Sequence, residues 1–507
     1  MIVLSFKFYF SRNASFGPGD HLTYSTLARN IVNDGVISHN STLPATYFKL
    51  GHFPKVDVSQ SHGVPYLLSG FFYLFGTSDF AAKSFSGLFF ILSVIVLFLL
   101  GREKFDEKTA FMACLFYIFS GAMFPYIDIP LTEMFYVFLF LLSVTCLFGE
   151  LTFIRILVFS ILFFYLHLTR SSTLFYLPVF LCIIYVQSNK NKIFNVIFFL
   201  VAFALLLKSY GYFMLKYDPE RDLNSATLNL LFFHDRNYFY EGFRALQFPD
   251  LWNQNPFLII KSNLSFYISN YLKNIFEYVT LLARPDYLFA SVFFLGPMIV
   301  FNKNNKNLII FKLAIIAFLL CSIAGFSIGW PVVRYLIPVF PLITLIMSHY
   351  YLNELNNSEN SNFKKMLVKA LIGLQFGTFL VGMGSFYLST KKLDNYSEFK
   401  NYSQKLFLKN EVLISNLPDV ISWYADRKTI FFPNSFNDVR VLAGKFQEIK
   451  GIVITSDVFG SSENLSLNND WKDLIKNKSE FIEGTSFKLV KIFSFASGKT
   501  MLIYKRI

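Results

Sequence analysis

The sequence has 507 residues, of which 54% are hydrophobic and 16% are charged, and its mean hydropathy is +0.45. A chain this apolar cannot bury its hydrophobic surface inside a soluble fold, so the composition predicts a membrane protein with many spanning segments. The net charge of +13 comes with no basic stripe and no nucleic-acid-binding motif, so we expect no nucleic-acid partner.

The chain opens with a short apolar segment, residues 1–10, that contains Lys7. About 20 apolar residues are needed to cross a bilayer, so this segment is too short to span, and it lacks the form of a signal peptide. We interpret it as a truncated first span, because the later apolar runs are complete.

A turn of sequence Gly17-Pro18-Gly19 then leads into Asp20. Apolar and aromatic side chains follow at helical spacing, at Tyr24, Leu27, Ala28 and Ile31. This pattern predicts an amphipathic helix that lies on the membrane surface with Asp20 in its first turn. The carboxylate could cap this helix or project into a cleft, and the two roles are compatible.

Apolar runs long enough to span, or nearly so, follow at 79–100, 109–127, 130–149, 154–169, 171–187, 193–213, 285–301, 308–328, 331–352 and 366–389. With the first segment they make about eleven. Four short connections carry lysine or arginine: 101–108, 187–192, 302–307 and the stretch ending at Lys365. By the positive-inside rule these connections face the cytoplasm. The longer connections, 11–78 and 214–284, and the C-terminal segment then lie on the other side.

The C-terminal segment reads as a small α/β domain. Strands are predicted in EVLISN, KTIFFP and KGIVITSD, a short helix in LPDVISWYADR, and a closing hairpin in FKLVKIFSF and TMLIYKRI. We therefore expect a transmembrane domain over residues 1–389, with outer loops 11–78 and 214–284, and a soluble extracytoplasmic domain over residues 390–507. The overall fold class is mainly α, with about ten or eleven transmembrane helices.

Acidic residues stand near the outer end of one predicted span, in the sequence YIDIPLTEMFY. Glu133 lies in the opening turn of the span, and Asp128 precedes Pro130. An ionisable side chain at this depth is costly unless it faces water or a partner, which favours a functional role. The alternative is a purely electrostatic role at the positive end of the helix dipole.

Basic residues stand at the same outer edge. Arg170 follows His167 between two spans, and Arg334 opens a later span. Both arginines run against the positive-inside bias, which indicates that local chemistry holds them there. A guanidinium fork matches phosphate or carboxylate, although each arginine could instead form a structural ion pair with Asp20, Asp128 or Glu133.

Carboxylates and arginines at one bilayer edge fit one type of reaction. A carboxylate could take a proton from an acceptor hydroxyl or amine while an arginine neutralises a phosphate leaving group. A donor with a polyprenyl tail would lie in the lipid with its phosphate at that depth.

At these residues the chain resembles the GT-C glycosyltransferases, in particular the superfamily of dolichyl-phosphate-mannose protein mannosyltransferases and aminoarabinose transferases. The matching stretches are the spacing of Asp20, Tyr24, Ala28 and Gly35, the run HGVPYLLSGFFYLFGTSDFAAK that begins at His62, and the segments PLTEMFY, LTRSSTLFYLP, RYLIPVFPLI and SNLPDVISWYADRKTIFFP.

The resemblance implies inverting transfer of a sugar from a polyprenyl-phosphate donor to an acceptor protein, lipid or glycan on the outer face of the plasma membrane. It implies Asp20 as general base and Glu133 as a second acid that positions the acceptor or a metal. Arg170 and Arg334 are then candidates for the donor phosphate, and the other substrate-binding candidates are Tyr24, Asp128 and His62.

The chain also departs from the family pattern. Its first loop begins Gly-Asp-His where many members have paired acids, which argues against a divalent metal but leaves one open. The Lys-Pro-Pro stretch of the aminoarabinose transferases is missing, so the identity of the acceptor cannot be inferred from those enzymes. Two alternatives remain: a transporter or flippase of lipid-linked sugars, and an O-antigen ligase or polymerase-like protein that would use the loop 214–284.

Overall fold

The computed structural model describes residues 2–11, 15–16, 19–53, 61–121, 123–188, 191–217, 244–247, 255–282, 306–328, 332–356, 362–390, 394–456 and 469–507. Every structural statement below refers to these residues. The predicted span 285–301 lies outside them, and so do residues 218–243, 248–254 and 283–284 of the predicted loop 214–284.

The N-terminal part of the chain forms four helices and one short strand. They are α1 (Ile2–Ser11), α2 (Asp20–Asp34), β1 (Ser41–Thr42), α3 (Pro44–Leu50) and α4 (Gly63–Phe75). The helix expected after Asp20 is therefore present. Its expected place on the membrane surface is wrong, because residues 22–30 are all buried and α2 packs against α4 and against the C-terminal part of the chain.

The central part of the chain is a set of apolar helices. They are α5 (Asp79–Lys104), α6 (Glu107–Ile118), α7 (Thr132–Leu147), α8 (Phe153–Thr169), α9 (Leu177–Gln187), α10 (Lys192–Tyr217), α11 (Pro256–Ser262), α12 (Leu264–Leu282), α13 (Lys306–Phe326), α14 (Phe340–Asn356) and α15 (Asn362–Thr390). Neighbouring helices pack in pairs, among them α5 with α6 and α7, and α7 with α8. Their aromatic and aliphatic side chains form one large core.

Three of the described helices are long and apolar enough to cross a membrane: Asp79–Lys104, Lys192–Tyr212 and Asn307–Phe326. Shorter apolar helices include Thr132–Leu147 and Phe153–Thr169. The chain is thus mainly helical, with apolar helices of a membrane protein, while the number of ten or eleven spans stays a prediction.

Two predicted spans begin or end in a tighter turn instead of a helix. The run 109–127 is helical only to Ile118 and then continues in a 3₁₀ turn, Phe124–Tyr126. The run 331–352 begins with the 3₁₀ turn Val333–Tyr335, and helix α14 starts at Phe340. Pro338 explains the second break, because a proline cannot donate the backbone hydrogen bond of a continuing helix. Pro125 lies inside the first 3₁₀ turn, seven residues after Ile118, and does not account for the end of that helix.

The C-terminal α/β region follows α15 and contains every strand that the sequence predicts there. Its elements are α16 (Ser397–Leu406), β2 (Val412–Ser415), β3 (Lys428–Phe431), α17 (Phe436–Lys445), β4 (Ile449–Thr455), α18 (Asn469–Asn477), β5 (Phe487–Ser494) and β6 (Thr500–Arg506). Between β2 and β3 a helical turn, Pro418–Val420, continues into a π-helix, Ile421–Ala425.

One six-stranded sheet organises this region, in the order β1-β3-β2-β4-β6-β5. Strands β1, β3, β2 and β4 run parallel, and β5 and β6 form the predicted antiparallel hairpin. The edge strand β1 comes from the first loop, with Ser41 opposite Thr429. A second, smaller core lies between this sheet and its helices, around the fully buried Trp471.

A buried ion pair fixes the short first helix. The ammonium of Lys7 lies 2.7 Å from Asp128 Oδ1, and the exposed fractions of the two side chains are 1% and 7%. Lys7 also donates to the backbone oxygen of Phe124 and lies over the Phe124 and Phe386 rings. Helix α1 is thereby tied to the segment that precedes α7 and to α15.

Replacing Lys7 with methionine should lower the free energy of unfolding by about 3–5 kcal/mol, because the variant leaves the buried carboxylate of Asp128 without its counter-charge. Thermal unfolding of the purified protein in detergent measures this loss. The double variant Lys7→Met/Asp128→Leu removes both charges and should recover most of the stability. Equal melting of the wild type and the single variant would show that the pair contributes nothing.

Candidate functional site

Asp20 opens helix α2, and the residue before it is suited to that position. Gly19 has a φ of 153°, a backbone conformation that L side chains rarely adopt. Gly19 occupies the N-cap position, so Asp20 is the first residue of the helix and not its cap. No side chain caps this end of the helix by a hydrogen bond. Its carboxylate complements the positive end of the helix dipole. About half of the side chain, 52%, is exposed.

Glu133 and Arg170 form a buried pair next to this position. Glu133 is the second residue of α7 and is 1% exposed, and Arg170 directly follows the last residue of α8. Arg170 Nη2 donates to Glu133 Oε1 at 2.5 Å, and Arg170 Nε donates to Thr132 Oγ1 at 2.8 Å. The start of α7 and the end of α8 are thus joined by one guanidinium.

Arg334 connects this pair to Asp20. It lies in the 3₁₀ turn before α14, with Nη1 at 3.6 Å from Asp20 Oδ2 and Nε at 3.9 Å from Glu133 Oε1. Both distances are too long for a direct hydrogen bond and describe an electrostatic contact. Asp20, Arg334, Glu133 and Arg170 therefore form a row of alternating charge, which we call the charged row.

The charged row keeps unused hydrogen-bonding capacity. Within the described part of the chain, Glu133 Oε2, Arg170 Nη1 and Arg334 Nε are buried and have no hydrogen-bond partner. A buried polar atom left unpaired costs free energy, so such atoms need an explanation. Unpaired guanidinium N–H groups can donate to an anionic ligand such as a phosphate.

Aromatic rings hold the two guanidinium groups in place. Arg170 lies 5.4 Å from the centre of the Tyr136 ring and 5.5 Å from the centre of the Tyr335 ring. Arg334 lies 5.4 Å from the same Tyr335 ring, which stacks on Phe326 with 4.4 Å between ring centres. Cation–π contacts of this kind orient the guanidinium planes without using their N–H donors.

Tyr24 lies one turn after Asp20 on α2, and its side chain is buried. Burial raises the pKa of Tyr24, the negative charges of Asp20 and Glu133 raise it further, and the two arginines oppose them. The hydroxyl therefore stays neutral in the physiological range. Tyr24, a predicted substrate-binding residue, therefore lies close enough to all four members of the charged row to be affected by their charges.

The other two predicted substrate-binding residues have different surroundings. Asp128 pairs with Lys7 and helps to fix α1. His62 directly precedes α4, and its ring hydrogen-bonds the Tyr210 hydroxyl and lies edge-on to Tyr66. The next residue, Gly63, packs so closely against Thr169 that an added Cβ would lie 2.9 Å from the Thr169 nitrogen. His62 is thereby linked to the chain just before Arg170.

Asp419, which the sequence analysis does not identify, also lies near the charged row. Ser41 donates to Asp419 Oδ1 at 3.4 Å, and the side chain of Thr23, one turn after Asp20, also hydrogen-bonds Asp419. Burial raises the pKa of Asp419, and the charge of Asp20 acts in the same direction. No local motif marks Asp419, because it reaches Asp20 only through the packing of the C-terminal region on α2.

A metal site has no obvious set of ligands in the described residues. No three of their histidine, cysteine, aspartate and glutamate side chains come together as a metal-binding group. The carboxylate oxygen of Glu133 that has partners faces two arginines. The charged row thus pairs this carboxylate with guanidinium groups.

Similarity to known proteins is visible in the fold. Over 99% of its length the chain is similar to the crystal structure of ArnT from Cupriavidus metallidurans bound to undecaprenyl phosphate, with a TM-score of 0.55, 10% sequence identity and 96% of that chain covered. The apo structure of the same protein gives the same values. AglB from Archaeoglobus fulgidus, in complex with an inhibitory peptide and a dolichol-phosphate, gives a TM-score of 0.48 and 12% identity over 89% of this chain and 68% of its own.

No family model and no curated protein matches the sequence. ArnT is an aminoarabinose transferase of the GT-C glycosyltransferases, so the resemblance that the sequence motifs indicate is confirmed at the level of the fold. This fold extends over nearly the whole of both chains.

Proposed function

We propose that this protein is a membrane glycosyltransferase that moves a sugar from a polyprenyl-phosphate donor to an acceptor protein, lipid or glycan. The observation that carries the proposal is the charged row, in which the half-exposed carboxylate of Asp20 stands beside Arg334, and Arg334 and Arg170 both keep unused donors. The GT-C fold supports the same reading, and the ArnT structure of that fold holds undecaprenyl phosphate.

The arginines are the proposed donor side of the site. Arg170 is held by Glu133, Thr132 and two tyrosine rings, yet keeps Nη1 unpaired, and Arg334 keeps Nε unpaired. A phosphate between the two guanidinium groups would satisfy these donors. The same contacts would stabilise the negative charge that remains on the phosphate when the sugar departs.

Asp20 is the proposed general base. Its carboxylate is half exposed and only loosely held by Arg334, so an acceptor can reach it. It would take the proton of an acceptor hydroxyl or amine while the acceptor atom bonds to the anomeric carbon. The bond from that carbon to the phosphate oxygen breaks on the opposite side, and its electron pair goes to the phosphate, which inverts the configuration.

The remaining candidates take supporting roles in this proposal. Glu133, buried between the arginines, would orient both of them, and the neutral hydroxyl of Tyr24 would hydrogen-bond the sugar or acceptor. His62 stays a candidate for a substrate contact at the start of α4. The ion pair of Asp128 with Lys7 favours a structural role for that residue instead.

The proposed location follows from the loop charges of the sequence. Lysine and arginine in the short connections favour a cytoplasmic face opposite the charged row. The active site and residues 390–507 would then lie on the extracytoplasmic side of the plasma membrane. The boundary between the transmembrane domain and the soluble domain would lie at the end of α15.

Membranes that contain the protein test this function directly. They are incubated with undecaprenyl phosphate carrying a radiolabelled sugar, different sugars being used in turn, and with cell envelopes as the source of acceptor. We expect labelled glycosidic product in proportion to the amount of protein. Movement of labelled lipid across the bilayer without any glycosidic product would contradict the proposal and favour a transporter.

Replacing Arg334 with glutamine should weaken the binding of undecaprenyl phosphate roughly 10- to 100-fold, the value of a lost charge-assisted contact of about 1.5–3 kcal/mol. Arg334→Lys keeps the charge but not the planar fork, so its Kd for undecaprenyl phosphate should lie between those of the wild type and Arg334→Gln. Titration of the purified protein in nanodiscs measures the Kd. Arg102→Gln, at an exposed arginine of α5, is the matched control. Unchanged affinity in Arg334→Gln would remove Arg334 from the donor site.

A further inference from the structure

Residues 421–426 of the C-terminal α/β region form a turn that packs on the helical part of the chain. We call it the docking turn. It consists of the π-helix Ile421–Ala425 and of Asp426, whose φ of 54° ends the helix in a left-handed conformation. Helix α2 is among the elements that it contacts, and α2 is the helix that begins with Asp20.

The docking turn holds the chain just before Asp20. The backbone N–H of Phe16 donates to the Tyr424 hydroxyl at 2.5 Å. The neighbouring residue, Ser15, donates its backbone N–H to the backbone oxygen of Asp394 at 3.3 Å. Its hydroxyl oxygen accepts a hydrogen bond from the backbone N–H of Tyr396 at 3.0 Å. The segment between helix α1 and Asp20 is therefore attached to the C-terminal region.

The docking turn also holds α2 at a point beyond Asp20, through Arg29. The guanidinium donates from Nη1 to the Trp423 oxygen at 2.9 Å and from Nη2 to the Ser422 oxygen at 2.7 Å, and it lies 3.0 Å from Asp426 Oδ1. It also lies over the Trp423 ring. Arg29 is 6% exposed, so this contact is part of the protein interior.

The docking turn is itself fixed to a long apolar helix. Trp423 Nε1 donates to Asp79 Oδ1 at 2.7 Å, and the Tyr424 hydroxyl donates to Asp79 Oδ2 at 2.9 Å. Asp79 is the first residue of α5, and the Trp423 ring also stacks on Phe72 of α4. The turn thus connects α2 to α4 and α5.

We propose that Arg29 is a positioning residue for the transfer reaction, because it fastens α2 to the docking turn and so holds Asp20 at its place beside Arg334. This inference rests on the proposed function. Arg29 is nine positions after Asp20 along the helix, a rise of about 14 Å, so a tilt of α2 at Arg29 moves the carboxylate at its far end. A displacement of about 1 Å can cost a reaction 10²-fold in rate.

Kinetics of Arg29→Gln, set against Arg427→Gln, test the proposal. Arg427 is a buried arginine next to the same turn, and it donates hydrogen bonds to backbone oxygens of the C-terminal region, those of Phe407, Ala425, Asp426 and Gln404. We expect Arg29→Gln to lower kcat by about 30- to 100-fold, with the KM for the lipid donor within about threefold of wild type. Arg29→Lys, which can keep the pair with Asp426, should recover part of kcat.

Hydrogen exchange of residues 20–34 gives a readout that does not need turnover. We expect the amides of α2 to exchange at least about tenfold faster in Arg29→Gln than in the wild type, and at wild-type rates in Arg427→Gln. If both variants lose kcat equally, or if α2 loosens in Arg29→Gln while kcat stays at the wild-type value, the positioning role is wrong.

The same pair of measurements separates this inference from the proposed function. Absence of transfer by the wild-type protein, with donor bound, would overturn the proposed function. The exchange comparison would still decide whether Arg29 fixes α2, and unchanged exchange in Arg29→Gln would overturn the inference even if the wild type transfers sugar.

Discussion

Asp20→Asn should lower kcat for sugar transfer by at least about 10³-fold, within the range that general-base catalysis contributes. Asparagine has the same shape but cannot accept the proton of the acceptor. Because the arginines are unchanged, we expect the Kd for undecaprenyl phosphate to stay within about threefold of the wild-type value. Single-turnover transfer of label from the lipid donor, measured beside donor binding, separates the two effects.

Asp34→Asn provides the control for this substitution. Asp34 is an exposed aspartate at the other end of the same helix, so the variant removes a carboxylate from α2 without touching the charged row. Its turnover should equal that of the wild type. If Asp20→Asn also keeps full turnover, Asp20 is not the base.

Glu133→Gln should reduce transfer by about 10²- to 10³-fold and lower the free energy of unfolding by about 3–5 kcal/mol, because it removes one partner of a buried ion pair. The glutamine amide fills the same volume but leaves Arg170 buried without a counter-charge. Arg334 loses its attraction to the same oxygen, so both guanidinium groups are free to move apart. Activity assays and thermal unfolding of the same preparation measure both effects.

Two further variants define how Glu133 acts. Glu133→Asp keeps the charge but shortens the reach to Arg170, so it should retain stability better than it retains activity. Glu150→Gln, at an exposed glutamate that follows α7, should alter neither quantity. Wild-type activity in Glu133→Gln would show that the orientation of the two arginines does not matter for transfer.

Three of the four members of the charged row could be recognised from the sequence because each of them breaks a local rule. Arg170 and Arg334 are cations on the face where the loop charges predict that positive charge is disfavoured, and Glu133 is an ionisable group at the start of an apolar run. A residue that breaks such a rule needs a partner, and the structure supplies it within the same row. The strands of the C-terminal region were equally predictable, since each is a short apolar run between turn residues.

The environment of helix α2 could not be predicted in the same way. Its pattern of Tyr24, Leu27, Ala28 and Ile31 is that of a helix with one apolar face, and residues on its other sides, such as Arg29, look exposed in sequence. Arg29 is buried because backbone oxygens of Ser422 and Trp423, near the other end of the chain, cover it. Asp419 could not be predicted for the same reason, since its proximity to Asp20 arises only from tertiary packing.

Strand β1 has a consequence for the order in which the protein matures. Ser41 and Thr42 belong to the first loop, and the strand with which they pair, Lys428–Phe431, is synthesised about three-quarters of the chain later, at about residue 430 of 507. Contacts between segments so distant in sequence form late, because the loop between them must first be closed. The ribosome therefore completes nearly every helix before β1 can pair with β3. The environment of Asp20 is finished only when the last part of the chain has arrived.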